Sequence, residues 1–135
     1  MRVIDASAIA KYLLREEHWE QVREQLAADP CSLDLAVAEV TNAIWKHHVV
    51  YGRISRDAAT RMLDALKRLT VDVVLFEPAS EYVEATLEFA CNARIPVYDA
   101  FYFAQARHHV APLVTSDDRQ RLLAMKLRIS VEFVG

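Results

Sequence analysis

The sequence predicts an α/β fold, a three-layer α/β/α sandwich with a short, mostly parallel sheet. Three observations predict it. Short runs of strand-forming residues recur along the chain, and each is separated from the next by segments of helical periodicity, the pattern of a parallel sheet with helices on both faces. One helical segment near residue 100 is apolar almost all round, which places it centrally. The length, 135 residues, suits a single domain over 1–135 that buries roughly two thirds of its unfolded surface around one core.

The elements follow in order. Residues 2–5 read as a short strand, and S-A-I-A-K-Y-L-L-R-E continues as a helix with Ile9, Tyr12 and Leu13 on one side. From Glu17 to Ala28 charges dominate, but Trp19, Val22 and Leu26 recur at helical spacing, which predicts a solvated helix with a narrow apolar stripe. Asp29 and Pro30 end it. C-S-L-D is a second strand, and the run from Ala36 to Tyr51 is a long helix stopped at Gly52. Ser55 and Asp57 open the next helix, with Ala59, Met62, Leu63, Leu66 and Leu69 as its apolar face. D-V-V-L-F-E-P is strand material closed by proline; from Ser80, Val83, Leu87, Ala90 and Cys91 mark another amphipathic helix. After an I-P linker, Y-D-A-F-Y-F-A-Q-A is the central helix. A-P-L-V-T is a strand, D-R-Q-R-L-L-A-M-K a helix and I-S-V-E-F-V the last strand.

Hydrophobic residues make up 53% and charged residues 26%, the balance of a globular chain rather than a disordered one. No apolar run is long enough to span a membrane and the N-terminus lacks a signal-peptide pattern, so a cytoplasmic protein with no membrane partner is expected. Cys31 and Cys91 stand far apart in sequence, with no C-x-x-C and no histidine beside them, and read as small buried hydrophobes. The net charge of −3 supplies no general field for a polyanion. A phosphate-bearing ligand must therefore be drawn in locally, by a metal ion or a basic patch.

Four acids stand where an acid is costly or unexpected. Asp5 follows the first strand directly, and Asp117 follows the strand Leu113-Val114-Thr115 after one serine. In open parallel sheets the ligand crevice lies beyond such strand ends, so the two can share a rim. Glu39 has Leu35, Ala36, Val40 and Ala43 as helical neighbours and so projects from an inward face, which Asn42 shares. Asp99 precedes Ala100, Phe101, Tyr102 and Phe103, leaving it to face the interior or a cleft. Each has a structural alternative. Asp5 and Asp99 can cap helices, Asp117 forms a capping box with Gln120 while Asp118 adds favourable charge, and Glu39 can pair with Lys46 or an arginine. Taken together, clustered carboxylates without a basic or nucleophilic partner point to a hard cation, Mg²⁺ or Mn²⁺. Such an ion takes oxygen ligands, relieves their repulsion and bridges them to substrate phosphates.

V-I-D-A-S, A-E-V-T-N, V-Y-D-A-F-Y-F-A-Q-A and L-V-T-S-D-D-R, in that order, resemble the signature of PIN-domain proteins, more narrowly the small VapC-type toxins of toxin–antitoxin pairs. That resemblance implies an Mg²⁺- or Mn²⁺-dependent ribonuclease acting on an RNA substrate. It assigns Asp5, Glu39, Asp99 and Asp117 to the quartet that binds metal and activates water, and makes Ser7 and Thr115 hydroxyls that order the site. Asn42 matches a less regular polar position, and Asp118 is an extra acid able to replace or assist Asp117. The resemblance further implies a homodimer and a cognate antitoxin protein whose C-terminal segment wraps the toxin. Lys11 and Arg15, on the helix after Asp5, and Lys46, His47 and His48, beyond Glu39, are candidate RNA contacts, with a solvated helix face as the alternative. The pairs His47–His48 and His108–His109 lack the i,i+4 spacing of a helical zinc site. An inactive PIN-like module that binds RNA or protein remains a second reading. A phosphohydrolase with an Asp nucleophile at position 5 is a third, weakened because Ser7 stands where a dehalogenase-like enzyme needs a second acid.

Overall fold

Val3 and Ile4 have no exposed surface. Side chains on both faces of the strand are buried, as in the middle of a sheet with helices above and below. The computed structural model describes residues 1–135. Its strands are β1 (Arg2–Ile4), β2 (Pro30–Leu33), β3 (Leu75–Glu77), β4 (Leu113–Thr115) and β5 (Val131–Phe133), in the order β3-β2-β1-β4-β5. Every neighbouring pair is parallel, with Val3 opposite Cys31 on one side and Leu113 on the other. The chain steps outward from β1 to β3 and returns to β4 across β1, so the strand order reverses between β1 and β4. A crevice opens at that reversal, beyond the strand ends.

Seven α-helices surround the sheet: α1 (Ala6–Leu13), α2 (Trp19–Leu26), α3 (Leu35–Trp45), α4 (Arg56–Arg68), α5 (Val83–Ala93), α6 (Val97–His109) and α7 (Asp118–Lys126). Helices α1 to α4 pack on one another, with α1 against β4 and α3 against β2; α5 packs on α6, which crosses β1, β2 and β4. Helix α6 is the central one: Ala100, Tyr102, Phe103, Ala104, Gln105 and Ala106 are all buried.

Three details differ from the sequence expectation. The strand expected over D-V-V-L-F-E-P shrinks to Leu75–Glu77, because α4 is prolonged by a π-helical turn, Leu69–Val73, in which Val74 N donates to Leu69 O at 2.9 Å. The long helix expected from Ala36 to Tyr51 likewise becomes α3 and a π-helical turn, Lys46–Val50. It does stop at Gly52, whose φ of +62° needs no Cβ accommodation. In α5 the buried side is Thr86, Phe89 and Ala90, while Val83, Leu87 and Cys91 are exposed. Phe89 carries far more apolar area than Cys91, and seating it edge-on to Phe103, 6.4 Å between rings, rotates the other stripe outward.

Phe103 is fully buried among α5, α6 and the sheet. Phe103→Ala is expected to cost about 3–5 kcal/mol in urea unfolding with an unchanged m-value.

Candidate active site

Asp5 sits one residue past β1 and caps α1, its Oδ1 accepting from Ala8 N at 3.1 Å. It is only 3% exposed. Burial drives its carboxyl up to about 6, and the charge of Asp117 adds to this; hydrogen bonds from Ser7, Thr115 and Ala8 partly oppose the shift. The Ser7 hydroxyl donates to Asp5 Oδ1 at 2.6 Å, accepts from Ser116 N at 2.9 Å and lies 3.2 Å from Thr115 Oγ1. Thr115 Oγ1 in turn accepts from Asp117 N at 3.1 Å. One serine thus ties the start of α1 to the turn after β4 across the switch point.

The other acids arrive from separate elements. Glu39 projects from the middle of α3 and accepts from the Tyr102 hydroxyl at 2.7 Å. Burial raises its carboxyl above the ordinary range against the pull of that hydrogen bond, and nearby Asp99 adds to the rise. Asp99 lies in the first turn of α6 and is raised chiefly by burial, with the Arg119 guanidinium opposing and Asp117 reinforcing. Asp117 caps α7, accepting from Arg119 N at 2.9 Å and Gln120 N at 3.3 Å. Asp5, Glu39, Asp99 and Asp117 line one cavity of about 60 Å³ together with Ser7, Tyr98, Tyr102 and Gln120. A wider groove of about 400 Å³ adjoins it, lined by Ser7, Glu39, Asn42, Lys46 and Asp117 among others.

Several residues lie elsewhere than the sequence suggested. Lys11 is buried, and its ammonium donates to Glu17 O at 2.9 Å and Gly135 O at 3.0 Å, so it is committed inside the fold and not offered to RNA. Arg15 is exposed, its guanidinium stacked over Trp19 at 4.0 Å and Tyr12 at 4.8 Å. Asp118 lines neither the cavity nor the groove and pairs with Arg121. The capping box is half formed: Gln120 turns its side chain to Asp99 O at 3.4 Å rather than back to Asp117. His47 and His48 bond backbone carbonyls of Ala43 and Ile54, each at 2.9 Å.

Sequence reasoning missed Tyr102 and Arg119 and gave Gln120 only a capping role. Tyr102 is one helical turn from Asp99, and its buried hydroxyl is held protonated by burial and by Glu39. Arg119 makes the only ion pair to the quartet, on Asp99. The usable signal was spacing, since i+3 from Asp99 and two residues past Asp117 both return to the same rim.

The donor set is all oxygen, which fits a hard divalent cation and not a soft one. No three of the carboxylates bring ligand atoms within 4.8 Å of one another. As the side chains stand, at most two of the carboxylates can touch one ion directly, and water must complete its shell.

A parallel sheet with acids from β1, α3, α6 and the β4–α7 turn around its switch point defines a narrow class of α/β protein. A family model described as PIN domain matches residues 2–126, and the chain belongs to that family. It is 35% identical over 117 residues to Ribonuclease VapC3 of Pyrobaculum aerophilum, covering 85% of this chain and 88% of that protein. Its fold is similar to the crystal structure of PAE2754 from Pyrobaculum aerophilum, at TM-score 0.65 and 30% identity over 90% of this chain and 84% of the other. It shares its fold with VapC20 of Mycobacterium tuberculosis, described as a sarcin-ricin loop cleaving toxin, at TM-score 0.64 and 17% identity over 90% and 94% of the two chains. FitAB bound to a DNA fragment contains the same fold, at TM-score 0.64 and 20% identity over 98% and 94%.

Because folding raises the Asp5 carboxyl from 3.8 to about 6, the folded state holds that proton more tightly than the unfolded chain. Its ionisation therefore removes stability as pH rises across that window. In chelator-treated protein, Asp5→Asn is expected to be more stable than wild type by about 2–3 kcal/mol at pH 7, with the gap closing near pH 4. Urea unfolding across pH measures it.

Proposed function

We propose that the protein is an endoribonuclease dependent on Mg²⁺ or Mn²⁺ and acts as the toxin of a toxin–antitoxin pair. The observation that carries this reading is the convergence of Asp5, Glu39, Asp99 and Asp117 on one cavity at the switch point. Kinship to Ribonuclease VapC3 along most of both chains supports the same substrate class.

In this reading the four carboxylates hold the metal. When bound, such an ion supplies Lewis acidity, making a coordinated water nucleophilic near neutral pH and stabilising the departing oxygen of the phosphodiester. The chain's own residues set the conditions. Ser7 and Thr115 fix the Asp5 carboxylate so that it reaches the site in one orientation, and Tyr102 does the same for Glu39. Burial disfavours the charged forms of Asp5, Glu39 and Asp99, so a cation gains affinity by relieving a penalty already present in the fold. The groove past Asn42 carries Lys46 at its edge and takes the RNA backbone, with Lys46 neutralising a phosphate. Arg119, the only cation paired with the quartet, is held on Asp99 and would be available to a substrate phosphate were that carboxylate to ligate a metal.

The protein partners in this reading are a cognate antitoxin and a second copy forming a homodimer, in the cytoplasm. No helix is long and apolar enough to cross a membrane. Trp45, Val49, Val50 and Tyr51 are each half exposed or more around the end of α3, which supports a protein-binding surface there.

Purified protein is expected to cleave labelled RNA with Mg²⁺ or Mn²⁺ and to stop on chelation. Asp99→Asn should lose at least about hundredfold in rate, and Ser7→Ala about ten- to hundredfold through a poorly held Asp5. Cleavage that survives both chelation and Asp99→Asn overturns the proposal, and RNA binding without cleavage favours an inactive module. Lys46→Ala should raise KM with kcat nearly unchanged and lower the salt dependence of RNA binding by about one charge.

A further inference from the structure

A second polar cluster lies away from the acid-lined cavity, between β2, β3 and the C-terminal end of α6. Cys31 on β2, Glu77 at the end of β3 and His109 at the end of α6 place their ligand atoms within 4.8 Å of one another. No other group of three does so. None of the three lines the cavity of Asp5, Glu39, Asp99 and Asp117. We propose that Cys31, Glu77 and His109 form a binding site for a borderline-soft divalent cation, of which zinc is the type.

The chemistry of the donors carries the assignment. One sulfur, one imidazole nitrogen and one carboxylate oxygen are the ligand types zinc takes, and three protein ligands leave a fourth position for water. The all-oxygen quartet at the switch point has the opposite preference, so the two sites sort metals by hardness.

The surroundings are those of a built site. Glu77 is oriented by three donors on one oxygen: the Tyr82 hydroxyl at 2.8 Å, Gln105 Nε2 at 2.9 Å and His109 Nε2 at 2.6 Å. Gln105 is wholly buried, and its amide also bonds Ser32 O at 2.7 Å, fixing it to β2. Burial opposes the charge on Glu77, yet the bonds from Gln105, His109 and Tyr82 prevail and hold its carboxyl below the usual range. A carboxylate is therefore ready, facing a histidine. Cys31 is fully buried, while His109 and Glu77 remain 18% and 17% exposed, so an ion enters from their side and meets the sulfur last. Burial, reinforced by Glu77, pushes the Cys31 thiol up to about 12. On binding, the Cys31 S–H bond breaks and its proton leaves to solvent as the metal–sulfur bond forms; the proton that His109 Nε2 donates to Glu77 also leaves that nitrogen, to Nδ1 or to solvent, so that a neutral imidazole lone pair and an ionised Glu77 face the ion. Occupation cross-links β2, β3 and the end of α6, the helix whose first turn carries Asp99.

The test uses Co²⁺ as a spectroscopic probe in chelator-stripped full-length protein, with excess Mg²⁺ to fill the oxygen site. In Cys91→Ser the sole thiol is Cys31, so a saturable near-ultraviolet thiolate-to-cobalt absorption band in that protein reports this site alone. The expected result is that band at one ion per chain, with affinity at least about tenfold weaker in His109→Gln and Glu77→Gln. Zn²⁺ should displace Co²⁺ and raise the melting temperature of Cys91→Ser but not of its His109→Gln derivative. Absence of the band in folded Cys91→Ser, checked by far-ultraviolet circular dichroism, overturns the proposal. So does a band that His109→Gln and Glu77→Gln leave unchanged. Neither readout requires RNA cleavage.

Discussion

The molecule is organised around a carboxylate that the fold buries at the end of its central strand. Asp5 cannot be moved to solvent without breaking the register that sets Val3 between Cys31 and Leu113. Its charge is instead accommodated by the Ala8 amide at the N-terminus of α1 and by the hydroxyls of Ser7 and Thr115. These groups come from α1 and from the last residue of β4, so satisfying Asp5 also fixes how those two segments meet. The crevice is the geometric result. Its floor is a carboxylate that burial makes costly to ionise.

Helix α6 connects this floor to the rest of the protein. Asp99, Tyr102, Gln105 and His109 recur at intervals of three, three and four residues, a polar stripe along one side of the helix. The first two address the acid-lined cavity, and the last two address Glu77. Tyr102 and Gln105 are buried, Asp99 and His109 are half-buried, and their partners lie on four elements, α3, α7, β2 and β3. The stripe therefore fixes the helix against the sheet in rotation and in translation. Apolar packing by Phe103 and the alanines fixes only how closely the two approach.

Much of this architecture was legible beforehand. Alternating strand and helical segments specify the sheet and its crossovers, and an acid directly after a strand locates the crevice edge, because both follow from local periodicity and from the geometry of parallel sheets. The errors fell where two local solutions compete. Sequence periodicity marks Val83, Leu87, Ala90 and Cys91 as the apolar stripe of α5, and Phe89 displaces all but Ala90 from the inner face by its contact with Phe103 on another helix. Lys11 looked like a surface cation on an amphipathic helix; carbonyls of Glu17 and Gly135, remote in sequence or beyond the helix, took its ammonium inside.

The sequence by itself determined the order of strands and helices, though not all their boundaries, and that Asp5, Glu39, Asp99 and Asp117 are acids in unusual company. Those are properties of neighbours along the chain. Only the tertiary structure decided that Tyr102 serves Glu39, that Arg119 reaches Asp99, and that Cys31 meets His109 and Glu77. Contacts between side chains depend on strand order and helix rotation, and both are set by the collective packing of one core that no local stretch encodes.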